Sequence, residues 1–259
     1  MLTPVFLKTD PNFTWPSQEK AFYLLTGEGL FFCRNHRFFK SAVPAPGWPA
    51  ELAPHSPFCR MGYPRVPQQT FERIIGFFSR IGRDYGAEAA VLLAWNGVQE
   101  QYEIIVPDQQ SVVGGLATGR PYPIEVHYQI PALPPDWLLV GDVHSHVDEA
   151  AYASVTDKQD EVHRPGLHIV VGRLYQEPPE LHIEVTVDGF RFRVGDPSLI
   201  LEGYAKRRTA EVPQDWLARV ETYSWSEYNK RFGSSARNSP AAFKPLVAGP
   251  SAGQIAGGL

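Results

Sequence analysis

The chain has 259 residues, 43% hydrophobic and 20% charged, with a net charge of −4. That is enough chain to bury a large core, and it leaves no basic footprint of the kind nucleic acid requires. No apolar run approaches the roughly 18 residues of a membrane span, the N-terminus lacks a signal-peptide core, and two cysteines, Cys33 and Cys59, make no disulfide framework. The expectation is a cytoplasmic protein with neither nucleic-acid nor membrane partners.

Residues 1–65 read as a separate accessory module. Apolar stretches at 21–25 and 29–33 flank Thr26-Gly27-Glu28-Gly29, a turn sequence, so a hairpin is expected there. Prolines then punctuate residues 43–67, which excludes a long helix or a central strand and reads as an irregular connection. Residues 67–83 give the clearest helix: Phe71, Ile74, Ile75, Phe78 and Ile81 form one stripe, with Pro67 at its start. Glu88 heads an apolar strand over 88–95, and a further strand is expected over 101–106. Residues 107–123, rich in Gly and Pro, read as a loop, and 124–130 alternate as a strand.

Residues 137–143 (WLLVGDV) read as a buried strand ending at His144 and His146. In extended chain, residues two apart point to the same side, so both imidazoles can converge on one ion. Seven residues later comes Ser154-Val-Thr-Asp157; at a helix start, Ser154 and Asp157 share a face. Two imidazoles and one carboxylate, with a fourth position open to water, are the ligand set of a catalytic zinc. A structural reading competes: Ser-x-x-Asp is also close to a capping box. A helix is expected to continue over 158–163, followed by a short strand at 167–171 and a hairpin over 182–194 turning at Asp188-Gly189. His163, His168 and His182 are alternative ligands without the tight spacing of His144 and His146. Residues 196–233 read as a helical extension and 234–259 as a flexible tail.

His-x-His, seven residues, then Ser-x-x-Asp resembles the signature of the JAMM (MPN-plus) zinc metalloproteases. The resemblance spans residues 66–195 and implies a mixed β-sheet flanked by helices, an α/β fold of the cytidine-deaminase-like kind. It also implies that His144, His146 and Asp157 bind Zn²⁺ and that Ser154 helps hold the oxyanion. A glutamate on an earlier strand handles the attacking water. Glu88 fits that place in chain order, although the family's ExxGxLxG segment reads EAAVLLAW here; Glu100 and Glu103 are the competitors. The family's eukaryotic isopeptidases usually carry Pro after the second His, where this chain has Val147.

The layout also resembles the bacterial PRTRC system protein A group, encoded near proteins similar to ubiquitin-activating enzymes. The implied activity is hydrolysis of the peptide or isopeptide bond after the C-terminus of a ubiquitin-like protein, that protein or its conjugates being the partner. An activating-enzyme-like protein from the same operon would be a second. Two alternatives stand beside it: a non-catalytic MPN-type scaffold, and a zinc amidohydrolase acting on a small-molecule or carrier-protein conjugate.

Overall fold

Helix α1, Gln68–Tyr85, buries Phe71, Ile74, Ile75, Phe78 and Ile81 along the stripe their spacing requires. Gly86 closes it at φ 64°, its N–H donating to Gly82 O, a left-handed cap that suits glycine. The computed structural model describes residues 3–115, 119, 121–162 and 164–232. The chain divides into two compact units, Met1–Phe58 and Cys59–Leu259.

In the first unit, β1 (Val5–Leu7), β2 (Ala21–Thr26), β3 (Gly29–Asn35) and β4 (Lys40–Pro44) form one sheet in that order. The expected hairpin joins β2 to β3, with Thr26 opposite Gly29. Phe22, Leu24 and Cys33 are its buried centre, and Phe6 and Trp15 pack edge-on against Phe22.

The second unit holds two sheets. The larger is built from β5 (Ala90–Asn96), β6 (Gln101–Ile105), β9 (Trp137–Ser145), β10 (Gly166–Gly172), β11 (Glu180–Val187) and β12 (Phe190–Arg193). Its order is β12-β11-β10-β9-β5-β6. The β9–β10 pair is parallel and the rest are antiparallel, so the fold is mixed α/β as expected. The hairpin between β11 and β12 turns at Asp188-Gly189, both at positive φ (48° and 81°), as a two-residue turn of this sequence demands. The smaller sheet is β13-β7-β8, from β7 (Gln109–Gly114), β8 (Tyr122–Tyr128) and β13 (Val220–Ser224).

Side-chain alternation divides the large sheet into two faces. Val91, Leu93, Val143, Leu167, Ile169 and Val171 join the α1 stripe in one core. The opposite face presents Ala90, Leu92, Asp142, His144, His168 and Val170, all buried. Helix α2, Val155–Glu161, lies on that side, its buried Glu161 reaching to 3.5 Å from His168 Nδ1. Helices therefore cover both faces.

Two expectations fail. Residues 107–123 are not all loop, because β7 occupies Gln109–Gly114 with Ser111, Val112 and Val113 buried. The helical extension over 196–233 is mostly not helical: α3 is only Gln214–Leu217, and β13 follows before α4, Trp225–Phe232. A remote pairing enters both: β13 pairs in parallel with β7, Val220 opposite Gln109, while β7 pairs on its other side with β8. Residues 234–259 and His163 lie outside the described residues.

Candidate metal centre

β9 places the histidines. Its register sets His144 opposite Val170 on one side and Ala90 on the other. The strand pattern continues one step past Ser145, with the His146 N–H donating to Val171 O at 2.8 Å. His144 and His146 thus share the face away from α1, and both are buried.

The chain then bends sharply. Val147 takes φ 52° and is itself buried, its Cγ1 lying 2.9 Å from where a Cβ on Gly82 would stand. Positive φ is rare for a β-branched residue, and proline, fixed near −65°, could not occupy it. The loop passes directly over Gly172, where a Cβ would lie 2.4 Å from Ala151 N and Glu149 O. It brings Ala150 O to 3.2 Å from His146 Nδ1. A proton on Nδ1 donated to that carbonyl leaves Nε2 free as a ligand atom.

Ser154 caps α2, and the capping box is complete: Asp157 N donates to Ser154 Oγ at 3.1 Å, and Ser154 N donates to Asp157 Oδ2 at 2.7 Å. The structural reading of Ser-x-x-Asp is thus realised, and it does not displace the chemical one. The capping oxygen, Oδ2, also lies 3.5 Å from His144 Nε2 and 3.8 Å from His146 Nε2. Ser154 Oγ accepts one bond and retains a proton to donate.

Tetrahedral bonds of 2.0–2.1 Å put ligand atoms about 3.3 Å apart, so the three side chains are spaced to hold an ion. Among the described residues, His144 Nε2 is buried and has no hydrogen-bond partner. An orphaned imidazole nitrogen aimed at a carboxylate and a second imidazole fits a cation. Burial alone would lower the His144 pKa, but the facing carboxylates of Asp142 and Asp157 raise it well above the usual imidazole range. Burial alone would raise Asp157, but His144 and His146 hold its carboxyl well below the usual range.

This charge state has a consequence for binding. An ion must displace the His144 proton, so affinity should rise with pH while His144 remains mostly protonated. We expect zinc affinity to weaken by up to about tenfold per unit as pH falls from 8 to 6. Isothermal titration at several pH values checks this, along with proton release read from two buffers of different ionisation enthalpy.

Glu88 stands at the mouth of this arrangement. Ser145 N donates to Ala89 O at 3.0 Å and Ala89 N donates to Ser145 Oγ at 3.3 Å, which sets Glu88 opposite His146. β7 fixes the segment from the other side: Ser111 Oγ donates to Glu88 O, and Gln109 bonds both Ala90 N and Ala90 O. Burial pushes the half-buried Glu88 up to about 7, opposed by His146 and His144 and assisted by Asp157. Glu103 lies elsewhere, opposite Ala94, which in turn faces Leu139. That point lies five strand steps from His144, about 17 Å. Glu100 is exposed in the turn before β6, at φ 51°.

Sequence reasoning passed over Gln109, Ser111 and Asp142. Asp142 was legible as the one charge in an otherwise apolar strand. It belongs to a buried network with Arg164, His168 and Glu161, and Arg191 closes on Glu161 at 2.7 Å. His168 is part of this network, and His182 pairs with Glu184; neither joins His144.

Residues 77–185 match the family described as prokaryotic homologs of the JAB domain. The matched stretch contains Glu88, both histidines, Ser154 and Asp157, and runs from within α1 to within β11. The chain is also similar to a solved JAB1/MPN domain protein from Archaeoglobus fulgidus at 19% identity, over 49% of this chain and 93% of that one, with a TM-score of 0.32. No curated protein matches it. Among the described residues, no helix is long and apolar enough to cross a membrane.

Proposed function

We propose that the second unit is a JAMM-type zinc peptidase or isopeptidase. Its substrate is the bond after the C-terminus of a ubiquitin-like protein, in a precursor or a conjugate. The observation that carries the reading is the convergence of His144 Nε2, His146 Nε2 and Asp157 Oδ2 beside a glutamate held by the β5–β9 pairing. Zn²⁺ held by those three side chains would supply Lewis acidity near neutral pH.

The chain's own groups do the rest. Glu88 takes the proton of the attacking water and passes it to the leaving amine. Burial is what raises its pKa, and an adjacent cation would favour the ionised form that acts as base. Ser154 donates a hydrogen bond from its hydroxyl to the carbonyl oxygen as charge builds there.

An edge strand suits an extended C-terminal tail by β-augmentation. β8 is at the edge of its sheet, and its Tyr128 hydroxyl lies 3.5 Å from Arg164, which bonds Asp142 beside the site. An activating-enzyme-like protein encoded nearby, as for the PRTRC system protein A group, fits the same reading.

The test is cleavage of a ubiquitin-like protein carrying a C-terminal extension, with zinc, by wild type and by Ser154→Gly. Glycine at an N-cap costs only a few tenths of a kcal/mol, so α2 and zinc should be retained. Turnover should nevertheless fall about 100- to 1000-fold, the loss typical of one oxyanion donor. Unchanged turnover would leave Ser154 a cap and nothing more. No turnover by zinc-loaded wild type on any such substrate would favour a scaffold.

A further inference from the structure

Asp142 lies two residues before His144 on the same face of β9, with 1% of its surface exposed. Its two oxygens have different fates. Oδ2 forms an ion pair with Arg164 Nη2 at 2.6 Å and a hydrogen bond with His168 Nδ1 at 3.1 Å. Oδ1 is buried with no hydrogen-bond partner among the described residues, and the nitrogen it faces is His144 Nδ1, 4.0 Å away. Leaving a buried carboxylate oxygen unsatisfied is costly, and a closure of about 1 Å would make the bond. On the far side of the same ring, Nε2 is the other orphan, aimed at Asp157.

We propose that Asp142 is the positioning residue of this centre, accepting a hydrogen bond from His144 Nδ1–H and so presenting Nε2 to the ion. The inference rests on the metal reading of His144, His146 and Asp157. It explains an asymmetry between the two imidazoles. His146 is steadied from behind by a backbone carbonyl, Ala150 O. His144 is steadied by a full carboxylate, which also raises its basicity toward a cation.

The network around Asp142 gives that carboxylate its aim. His168 Nε2 lies 3.2 Å from Arg164 O, tying the second partner of Oδ2 to the first. Asp142, Glu161 and His168 have ligand-like spacing of their own. Yet each carboxylate already carries a guanidinium, Arg164 on Asp142 and Arg191 on Glu161. The cluster is a neutralised brace, not a second ion site.

Asp142→Asn is the informative variant. Arg164 offers only donors, so it should keep the amide oxygen and turn the NH₂ toward His144, repelling Nδ1–H. Zinc affinity, measured on the full chain by competition with a chromogenic chelator, should fall about 10- to 100-fold. Arg191→Met disturbs the same network at its Glu161 end and serves as the control, with zinc affinity within about twofold of wild type. The Nδ1 proton of His144 in zinc-loaded wild type should appear in the NMR spectrum as a downfield, slowly exchanging signal, a readout that needs no variant to fold.

Zinc binding by Asp142→Asn equal to wild type would overturn the inference. So would an equal loss in Arg191→Met, or a fast-exchanging His144 Nδ1 proton in wild type. Wild type that binds no zinc is a separate outcome, which removes the metal reading itself.

Discussion

Glu88→Gln should lower hydrolysis by about 100- to 10 000-fold, the contribution of a positioned general base, while zinc content stays at the wild-type level. Glutamine keeps the size of the side chain and cannot take a proton. The backbone at this point is held independently of the carboxylate, by Ser111 on Glu88 O and by the exchange between Ala89 and Ser145. The strand end should therefore stay in place. Parallel measurement of steady-state cleavage and of metal by atomic emission separates the two effects. Full activity in the variant would move the base elsewhere. Glu103 is then a poor substitute, because it pairs with Ala94 at the other end of β5. Loss of zinc together with activity would make Glu88 a structural or ligand residue.

The second large effect belongs to Asp157, whose Oδ2 serves both the cap and the ion site. Asp157→Ala should weaken zinc by more than about 100-fold, since altering an outer-shell partner alone can cost that much. It should also weaken the cap by about 1 kcal/mol, a fall of a few degrees in the Tm of metal-free protein. Asp157→Asn separates the roles. Its carbonyl oxygen can still accept from Ser154 N, so the capping contact should survive while zinc affinity drops as in the alanine variant. Equal zinc binding by both variants and wild type would reduce Asp157 to a capping residue.

The parts of this molecule that were readable from sequence are those encoded by neighbours in the chain. The α1 stripe, the Asp188-Gly189 turn and the His-x-His spacing each depend on residues within a few positions of one another, and each reappears as a structural element. In the smaller sheet β8 was readable from its alternation, but β7 and β13 were not, because their contact is remote: Gln109–Gly114 and Val220–Ser224 meet in parallel, and parallel pairing leaves no turn between its strands. That sheet holds Glu88 in place through Gln109 and Ser111, so the supports of the proposed base were hidden with it. Ser154 shows the opposite case. Its two readings looked like rivals in sequence, yet the geometry joins them, because one oxygen of Asp157 completes the capping box and faces both imidazoles. Asp142 was visible as a charge within WLLVGDV, but its partners Arg164 and His168 come from beyond α2.

Zinc titration of metal-free wild-type protein, with His144→Ala in parallel, tests the centre most directly. Saturation at one ion per chain in wild type, abolished by His144→Ala, is the expected result. No saturable binding, or binding that survives loss of His144, would contradict a metal centre at His144, His146 and Asp157.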